Sequence, residues 1–250
     1  MNNKSEKNIL ILATHGSYYI PKFLRYFLKD EFKKYNDRLI KNYSDFATKY
    51  LVEDFDNTVI CNYSRALWDP NRDLNALDLF RSTDFGWLEL WKIKLPNLVK
   101  KYLINKYYKS YHNQIEEKIR ILEKNNKEII ILDIHDTWNE LLWEDFSKDK
   151  KRDYYFPEIN LWTAWYKSCT KDFSDKLEIL FKKEFWFESK IDWPYDAGFV
   201  SSKYWIWYSN RQVVQVEFGR YLYMDEKTQK VDFEKIKDIK EKLNRVIEWL

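Results

Sequence analysis

The stretch of sequence that most constrains the fold is residues 129–136, Ile-Ile-Ile-Leu-Asp-Ile-His-Asp. An aliphatic run that is rich in β-branched residues is typical of a strand buried on both faces of a parallel sheet. The polar residues Asp133, His135 and Asp136 come at the carboxyl end of this strand. Because ligands of open α/β sheets bind at the carboxyl ends of the strands, we expect a functional site at this position.

Other apolar runs predict the rest of an α/β fold. Residues 9–13 and 213–217 predict further buried strands, residues 58–62 a short strand, and residues 156–161 a further short segment. The spacing of apolar residues predicts helices over 22–34, 45–55, 88–94, 96–124, 169–184 and 232–250. Strands that alternate with helices indicate a sheet with helices on both faces. We therefore predict a single α/β domain, residues 1–250, with a mainly parallel mixed sheet.

Charge and cysteine content exclude several classes of function. The 43 basic and 40 acidic side chains leave a formal net charge of +3, so the overall charge favours neither nucleic acid nor an anionic membrane as a partner. The two cysteines cannot form a disulfide framework, no apolar run is long enough to span a membrane, and no signal sequence follows the polar start. We expect a cytoplasmic protein without nucleic-acid or membrane partners.

Three of the predicted strands end in residues that can carry chemistry. His15 follows the first strand, His135 ends the central strand and Glu217 ends the last one. Two histidines with nearby carboxylates at one sheet edge form a ligand set suited to Zn²⁺. A catalytic zinc takes three protein ligands, and Asp45 and Asp133 are both candidates for the third. The competing interpretations are a hydrogen-bonded core histidine and, for Asp45, an acidic residue that caps a helix.

Short motifs along the chain resemble those of one enzyme family, in the same order. They are Thr14-His-Gly-Ser17 with Ile20-Pro21, Tyr63-Ser-Arg65, Asp69-Pro-Asn-Arg72, Tyr111-His112, Leu132-Asp-Ile-His135, Pro194-Tyr-Asp-Ala-Gly-Phe199, and Gln215-Val-Glu217 with Leu222-Tyr-Met-Asp225. Together they resemble the N-formylglutamate amidohydrolase family, which is related to the zinc carboxypeptidases. The resemblance implies a zinc hydrolase on a carboxypeptidase-like (phosphorylase/hydrolase-like) α/β sheet. It also implies hydrolysis of the amide bond of an N-acyl amino acid such as N-formylglutamate.

The resemblance assigns roles to the residues at the strand ends. His15, His135 and Asp45 would bind Zn²⁺, and Glu217 would be the general base that takes a proton from the water that zinc activates. Asp133, one step deeper on the strand than His135, would instead accept a hydrogen bond behind the metal site. The sequence departs from carboxypeptidases after His15, because no Glu follows three residues later. The third ligand must therefore come from elsewhere in the chain.

A second group of residues is implied to hold the substrate. Arg65 would stabilise the tetrahedral oxyanion. Asn71 and Arg72 resemble the adjacent pair that holds a substrate carboxylate in carboxypeptidases, and guanidinium geometry suits that task. Tyr195 and the backbone of Gly198 would complete the pocket. The expected partner is a small-molecule carboxylate substrate.

Alternatives are open for these residues and for the function. Arg65 and Arg72 could instead pair with Asp69 and Asp73 in a purely structural network. His112, inside a long predicted helix, is expected to pack or to support the site rather than to bind the metal. The alternative functions are a peptidase or amidase that acts on a larger carboxylate-bearing substrate, and a non-catalytic binding module on the same fold.

Overall fold

A six-stranded mixed sheet forms the centre of the computed structural model, which describes residues 8–34, 38–83, 89–138, 157–186, 189–193, 198–205 and 210–250. The strands are β1 Ile9–Ala13, β2 Thr58–Ile60, β3 Ile129–Thr137, β4 Ile159–Trp162, β5 Ser189–Ile191 and β6 Arg211–Gly219. Their order in the sheet is β2-β1-β3-β6-β4-β5. β2, β1, β3 and β6 run parallel, whereas β4 is antiparallel to β6 and parallel to β5. The predicted α/β fold with a mainly parallel mixed sheet is confirmed.

Helices connect the strands and cover the sheet. They are α1 Lys22–Arg25, α2 Asp30–Lys34, α3 Arg38–Asn42, α4 Thr48–Val52, α5 Asn97–Leu103, α6 Lys109–Asn125, α7 Lys171–Phe185, α8 Phe199–Trp205 and α9 Phe233–Trp249. A π-helical turn, Ile104–Tyr108, joins α5 to α6, and a 3-10 turn, Arg220–Leu222, is followed by a hairpin of β7 Met224–Asp225 and β8 Lys230–Val231. Among the helices described, none has the length and apolar character needed to cross a membrane.

The alternation of side chains along β3 and β6 divides the interior into two cores. Ile129, Ile131 and Val213 pack into one core with residues of α6 and α8, and we call this side of the sheet the front face. Ile130 and Val214 point the other way and pack with residues of α4, α7 and α9 on the back face. Complete burial of an aliphatic side chain contributes about 1.5–3 kcal/mol, so both faces stabilise the sheet. The odd-numbered positions of β3 and β6 therefore belong to the front face.

Three helical predictions are wrong in part. The predicted helix 22–34 is interrupted between α1 and α2, and the described part of the predicted helix 88–94 is not helical. Both segments use their backbone groups to bond to each other rather than within a helix, since Lys29 donates its N–H to the carbonyl of Leu90 at 3.0 Å. The predicted helix 45–55 is reduced to α4. Apolar spacing indicates only local preference, which tertiary contacts override.

Candidate metal centre

The polar ends of β1, β3 and β6 lie side by side, as the sequence predicts. His15 comes two residues after β1, and β1 pairs with β3 in parallel. His135 of β3 is the register partner of Glu217 in β6, and both occupy odd-numbered, front-face positions. All three side chains are buried. Two histidines and a carboxylate therefore share the carboxyl edge of three adjacent strands.

Asp45 brings the two histidines together. Its Oδ2 lies 2.8 Å from Nδ1 of His135 and 3.3 Å from Nδ1 of His15. The two imidazole centroids are 4.7 Å apart, and one ligand atom from each of the three residues lies within 4.8 Å of the others. The helix-capping interpretation of Asp45 is wrong, because α4 begins at Thr48 without a side-chain cap. Asp45, rather than Asp133, completes the three-residue group.

The second ring nitrogen of each histidine faces another carboxylate. Nε2 of His15 lies 2.8 Å from Oδ1 of Asp69. Nε2 of His135 lies 3.0 Å from Oδ2 of Asp133, although these atoms are not aligned for a hydrogen bond, and Thr14 donates its hydroxyl to the other oxygen of Asp133 at 2.6 Å. A carboxylate at this position orients the ring of a metal-binding histidine. The sequence predicts this position for Asp133 but not for Asp69, whose only signal is its place in a motif.

The chemistry of the group fits a divalent cation. In the tautomer with the ring proton on Nε2, which faces Asp69 in His15 and Asp133 in His135, both Nδ1 atoms and the Asp45 carboxylate are acceptors. Three acceptor atoms lie this close together only when a positive charge lies between them. Either additional ring protons or a metal ion supplies that charge. Burial alone would raise the pKa of Asp45, but His135 and His15 hold it well below its usual range. Two histidines and one carboxylate are also the protein ligands of one type of catalytic zinc site.

A buried arginine fixes the acidic side chains behind the three-residue group. Arg220, directly after β6, donates from Nε to Oδ1 of Asp136 at 2.6 Å and from Nη2 to the carbonyl of Ser44 at 2.9 Å. Its Nη2 also lies 3.7 Å from Oδ1 of Asp45. Tyr223 donates its hydroxyl to Oδ2 of Asp136 at 2.7 Å. The sequence gives no signal of this network, because the pairing of buried charges depends on tertiary contacts.

Glu217 is held by a chain of amide groups. Gln215 donates from Nε2 to Oε1 of Glu217 at 2.8 Å, and its own Oε1 accepts the backbone N–H of Gly198 at 3.0 Å and Nδ2 of Asn71 at 3.3 Å. Asn71 in turn accepts the backbone N–H of Val200 at 2.8 Å. A Cβ at position 198 would lie 2.0 Å from Nδ2 of Asn71, so this approach requires glycine. Burial raises the pKa of Glu217 to about 7, in the range suited to a general base.

The two arginines predicted to contact the substrate have carboxylate partners. Arg65 donates from Nη2 to Oδ2 of Asp69 at 2.5 Å, and Arg72 donates from Nε to Oδ2 of Asp78 at 2.7 Å. The predicted pairing of Arg65 with Asp69 is therefore confirmed. The predicted pairing of Arg72 with Asp73 is wrong, because its partner is Asp78. The substrate roles of both arginines stay predictions.

The other candidate residues fall outside the three-residue group. Tyr195 lies outside the described residues. Nδ1 of His112 lies 2.7 Å from the hydroxyl of Tyr204, and its ring centroid is 4.4 Å from that of Tyr108. Burial lowers the pKa of His112 to about 3, so the ring is neutral. His112 packs in the front core, as predicted.

Comparison with known proteins agrees with the fold and with the sequence motifs. A protein-family model described as N-formylglutamate amidohydrolase matches residues 8–224. The chain therefore belongs to the N-formylglutamate amidohydrolase family, whose members are hydrolases of amide bonds. Comparison with curated protein sequences gives no significant match.

Two solved structures share the fold at low sequence identity. The N-formylglutamate amidohydrolase from Ralstonia eutropha JMP134 superposes with a TM-score of 0.80 and 18% identity, over 97% of this chain and 93% of that one. A gene product from Agrobacterium tumefaciens superposes with a TM-score of 0.72 and 14% identity, over 98% of this chain and 89% of that one. At these identities the likeness concerns the fold.

Proposed function

We propose that the protein is a zinc-dependent amidohydrolase that cleaves the amide bond of an N-acyl amino acid, such as N-formylglutamate. The observation that carries the proposal is the convergence of His15, Asp45 and His135 beside the buried carboxylate of Glu217. Membership of the amidohydrolase family supports the reaction class. The three residues would hold Zn²⁺, which supplies Lewis acidity that activates a water and polarises the amide carbonyl.

Glu217 moves the proton in this reaction. Its carboxylate accepts a proton from the attacking water and delivers it to the leaving nitrogen. The hydrogen bond from Gln215 fixes the orientation of one carboxylate oxygen, so Oε2 is the oxygen that exchanges the proton. A pKa that burial raises towards neutrality suits a group that must both accept and release a proton.

The remaining predicted residues bind and orient the substrate. Arg65, which pairs with the same carboxylate that supports His15, stabilises the oxyanion. Asn71, Arg72 and Tyr195 bind the substrate carboxylate, and the backbone of Gly198 supports Asn71 through the Gln215 oxygen to which both donate. These assignments rest on the family motifs and on the position of residues 65–72 beside the metal-binding group.

The test is zinc content together with hydrolysis of N-formylglutamate. Glu217→Gln is expected to keep zinc and to lose kcat by about 10²- to 10⁴-fold, the usual contribution of a general base. Glu248→Gln, an exposed position on α9, is the matched control and should keep full activity. Full hydrolysis by Glu217→Gln, or full activity in wild-type protein shown to contain no metal, would refute the mechanism.

A further inference from the structure

Asn160 lies directly beside Glu217 on the side away from the metal-binding group. β4 is antiparallel to β6, and Asn160 is the register partner of Glu217, which is itself the register partner of His135. Directly paired residues of neighbouring strands point to the same face, with Cβ atoms about 4.5–5.5 Å apart in antiparallel pairs. The three residues therefore form a row across β3, β6 and β4.

The packing of β4 confirms which face Asn160 occupies. Its neighbours Ile159 and Leu161 belong to the back core with Ile130 and Val214. Successive side chains of a strand alternate between faces, so Asn160 points to the front face, where Glu217 also lies.

The side chain of Asn160 is buried, and no described residue is its hydrogen-bond partner. Its relative exposure is 0%, and neither Oδ1 nor Nδ2 has a partner within the described ranges. Two other buried strand amides are bonded at both ends: Gln215 to Glu217 and to the backbone N–H of Gly198, and Gln212 to the backbone N–H of Thr170 and to Glu128. Burial of an unpaired amide is unfavourable, and such groups are rare in folded proteins. Because the described residues pair with neither end of this amide, a bound ligand can supply both of its missing partners.

We propose that Asn160 contacts the substrate and holds an amide group of it, with Nδ2 as donor and Oδ1 as acceptor. This inference rests on the proposed function and names one contact of the same site. A carboxylate fits the position poorly, because Oδ1 of Asn160 and the carboxylate of Glu217 would both repel it. An amide of the substrate carries the N–H and the C=O that match both ends of Asn160. That amide is either the bond being cleaved or a carboxamide at the end of the substrate side chain.

Asn160→Leu separates a contact to the substrate from a structural role. Leucine has a similar size and no polar atoms, and the substitution removes no side-chain hydrogen bond to any described residue. Tm is therefore expected to stay constant or to rise, while kcat/KM falls roughly 10- to 100-fold because the amide of the substrate is left unpaired. Asn160→Ser, which restores one polar atom in a smaller side chain, should retain more activity than Asn160→Leu.

Gln212→Leu is the matched control. Gln212 is also a buried strand amide, but it lies at the opposite end of β6 and both of its ends are bonded within the protein. The expected result is the reverse of that for Asn160→Leu: Tm falls and kcat/KM is unchanged. Equal kcat/KM in wild type and Asn160→Leu, or a Tm loss for Asn160→Leu as large as that of the control, overturns the proposal.

Three substrates distinguish the two sources of the amide. N-formylglutamate, N-formylglutamine and N-formylnorleucine share the cleaved bond, and only the second has a side-chain carboxamide. A similar loss on all three assigns Asn160 to the cleaved amide, and a loss confined to N-formylglutamine assigns it to the carboxamide. A loss confined to N-formylglutamate overturns the proposal, because the group held would then be a carboxylate.

A binding measurement separates failure of this inference from failure of the proposed function. Calorimetric titration of N-formylglutamine into zinc-loaded Glu217→Gln and into zinc-loaded Glu217→Gln/Asn160→Leu requires no turnover. Weaker binding to the double variant supports the contact whether or not the wild type hydrolyses the compound. Equal binding to the two proteins overturns the contact, and so does a failure of both proteins to bind the compound. Absence of hydrolysis by the wild type counts against the proposed function alone.

Discussion

The two sides of Glu217 differ in how their buried polar groups are satisfied. On the β3 side, His15, Asp45, Asp136 and Arg220 all contact partners of opposite character within the protein. On the β4 side, the side chain of Asn160 has no hydrogen-bond partner in the part of the chain that the structure describes. Polar groups that bond to each other hold a fixed geometry before any ligand arrives, whereas an unpaired buried amide is free to bond to a ligand. The β3 side therefore fixes the geometry of the three-residue group, and we propose that the β4 side contacts the ligand.

The largest expected effect is on the β3 side, at the carboxylate shared by the two histidines. Asp45→Ala removes the atom that lies within 3.3 Å of both Nδ1 atoms. We expect zinc affinity to fall by more than the roughly 10- to 100-fold that outer carboxylates contribute, with loss of hydrolysis. Zinc titration against a chromophoric chelator measures the change. Zinc affinity equal to wild type would show that Asp45 is not a ligand.

The next effect concerns the buried charge behind Asp45. Arg220→Met leaves Asp136 buried without its cationic partner, which costs about 3–5 kcal/mol of unfolding free energy. Urea unfolding measures this loss. The double variant Arg220→Met/Asp136→Leu should recover most of the stability but not the zinc affinity, since Oδ1 of Asp45 still lacks the guanidinium. If the double variant bound zinc like wild type, the network would be structural only.

A smaller effect is expected at the outer carboxylate of His15. Asp69→Asn keeps the shape of the side chain but removes the negative charge that faces Nε2 of His15. Zinc affinity should fall about 10- to 100-fold, as is usual for such carboxylates. Asp78→Asn, which changes the partner of Arg72 outside this group, is the control. Equal effects of the two substitutions would contradict the support assigned to Asp69.

The smallest effect at neutral pH concerns His112, the histidine outside the three-residue group. Burial lowers the pKa of His112 from 6.5 to about 3, so the unfolded chain takes up a proton below pH 6.5 while the folded protein does not. Folding stability therefore falls with decreasing pH across this window, by up to about 1.4 kcal/mol per pH unit from this group. Urea unfolding of His112→Gln at pH 7, 6 and 5, with chelator present, should show a shallower pH dependence. The same slope in both proteins would contradict the assignment.

The sequence predicts the centre of the site better than its surroundings. Aliphatic runs locate β1, β3 and β6, and parallel strands share an edge, so the approach of His15, His135 and Glu217 follows from local patterns. Asp45 is different, because the sequence alone leaves Asp133 as an equal candidate for the third ligand and a helix cap as another explanation of Asp45. Only the family resemblance favours Asp45 as the ligand. Its position depends on how the chain between α3 and α4 crosses the edge of the sheet.

The groups that the sequence does not reveal are those whose role depends on long-range pairing. No motif in the sequence distinguishes Arg220 from the other charged residues, and only the fold shows that it pairs with Asp136. Asn160 lies in a four-residue strand, and only the antiparallel pairing of β4 with β6 brings it next to Glu217. The failed helix at 88–94 has the same physical cause, since partners from distant segments decide the backbone conformation.

The reversed direction of β4 also affects how the enzyme can diversify. β3 ends at the catalytic edge, and the antiparallel pairing of Ile159 with Phe218 makes β4 begin at that same edge. The connection 138–158 therefore leaves and re-enters the sheet on the catalytic side. Because both ends of this connection lie at the edge that carries His135 and Glu217, its length can change without shifting the register of β3, β6 or β4. We expect chains that differ in the length of this connection to keep the arrangement of His15, Asp45 and His135.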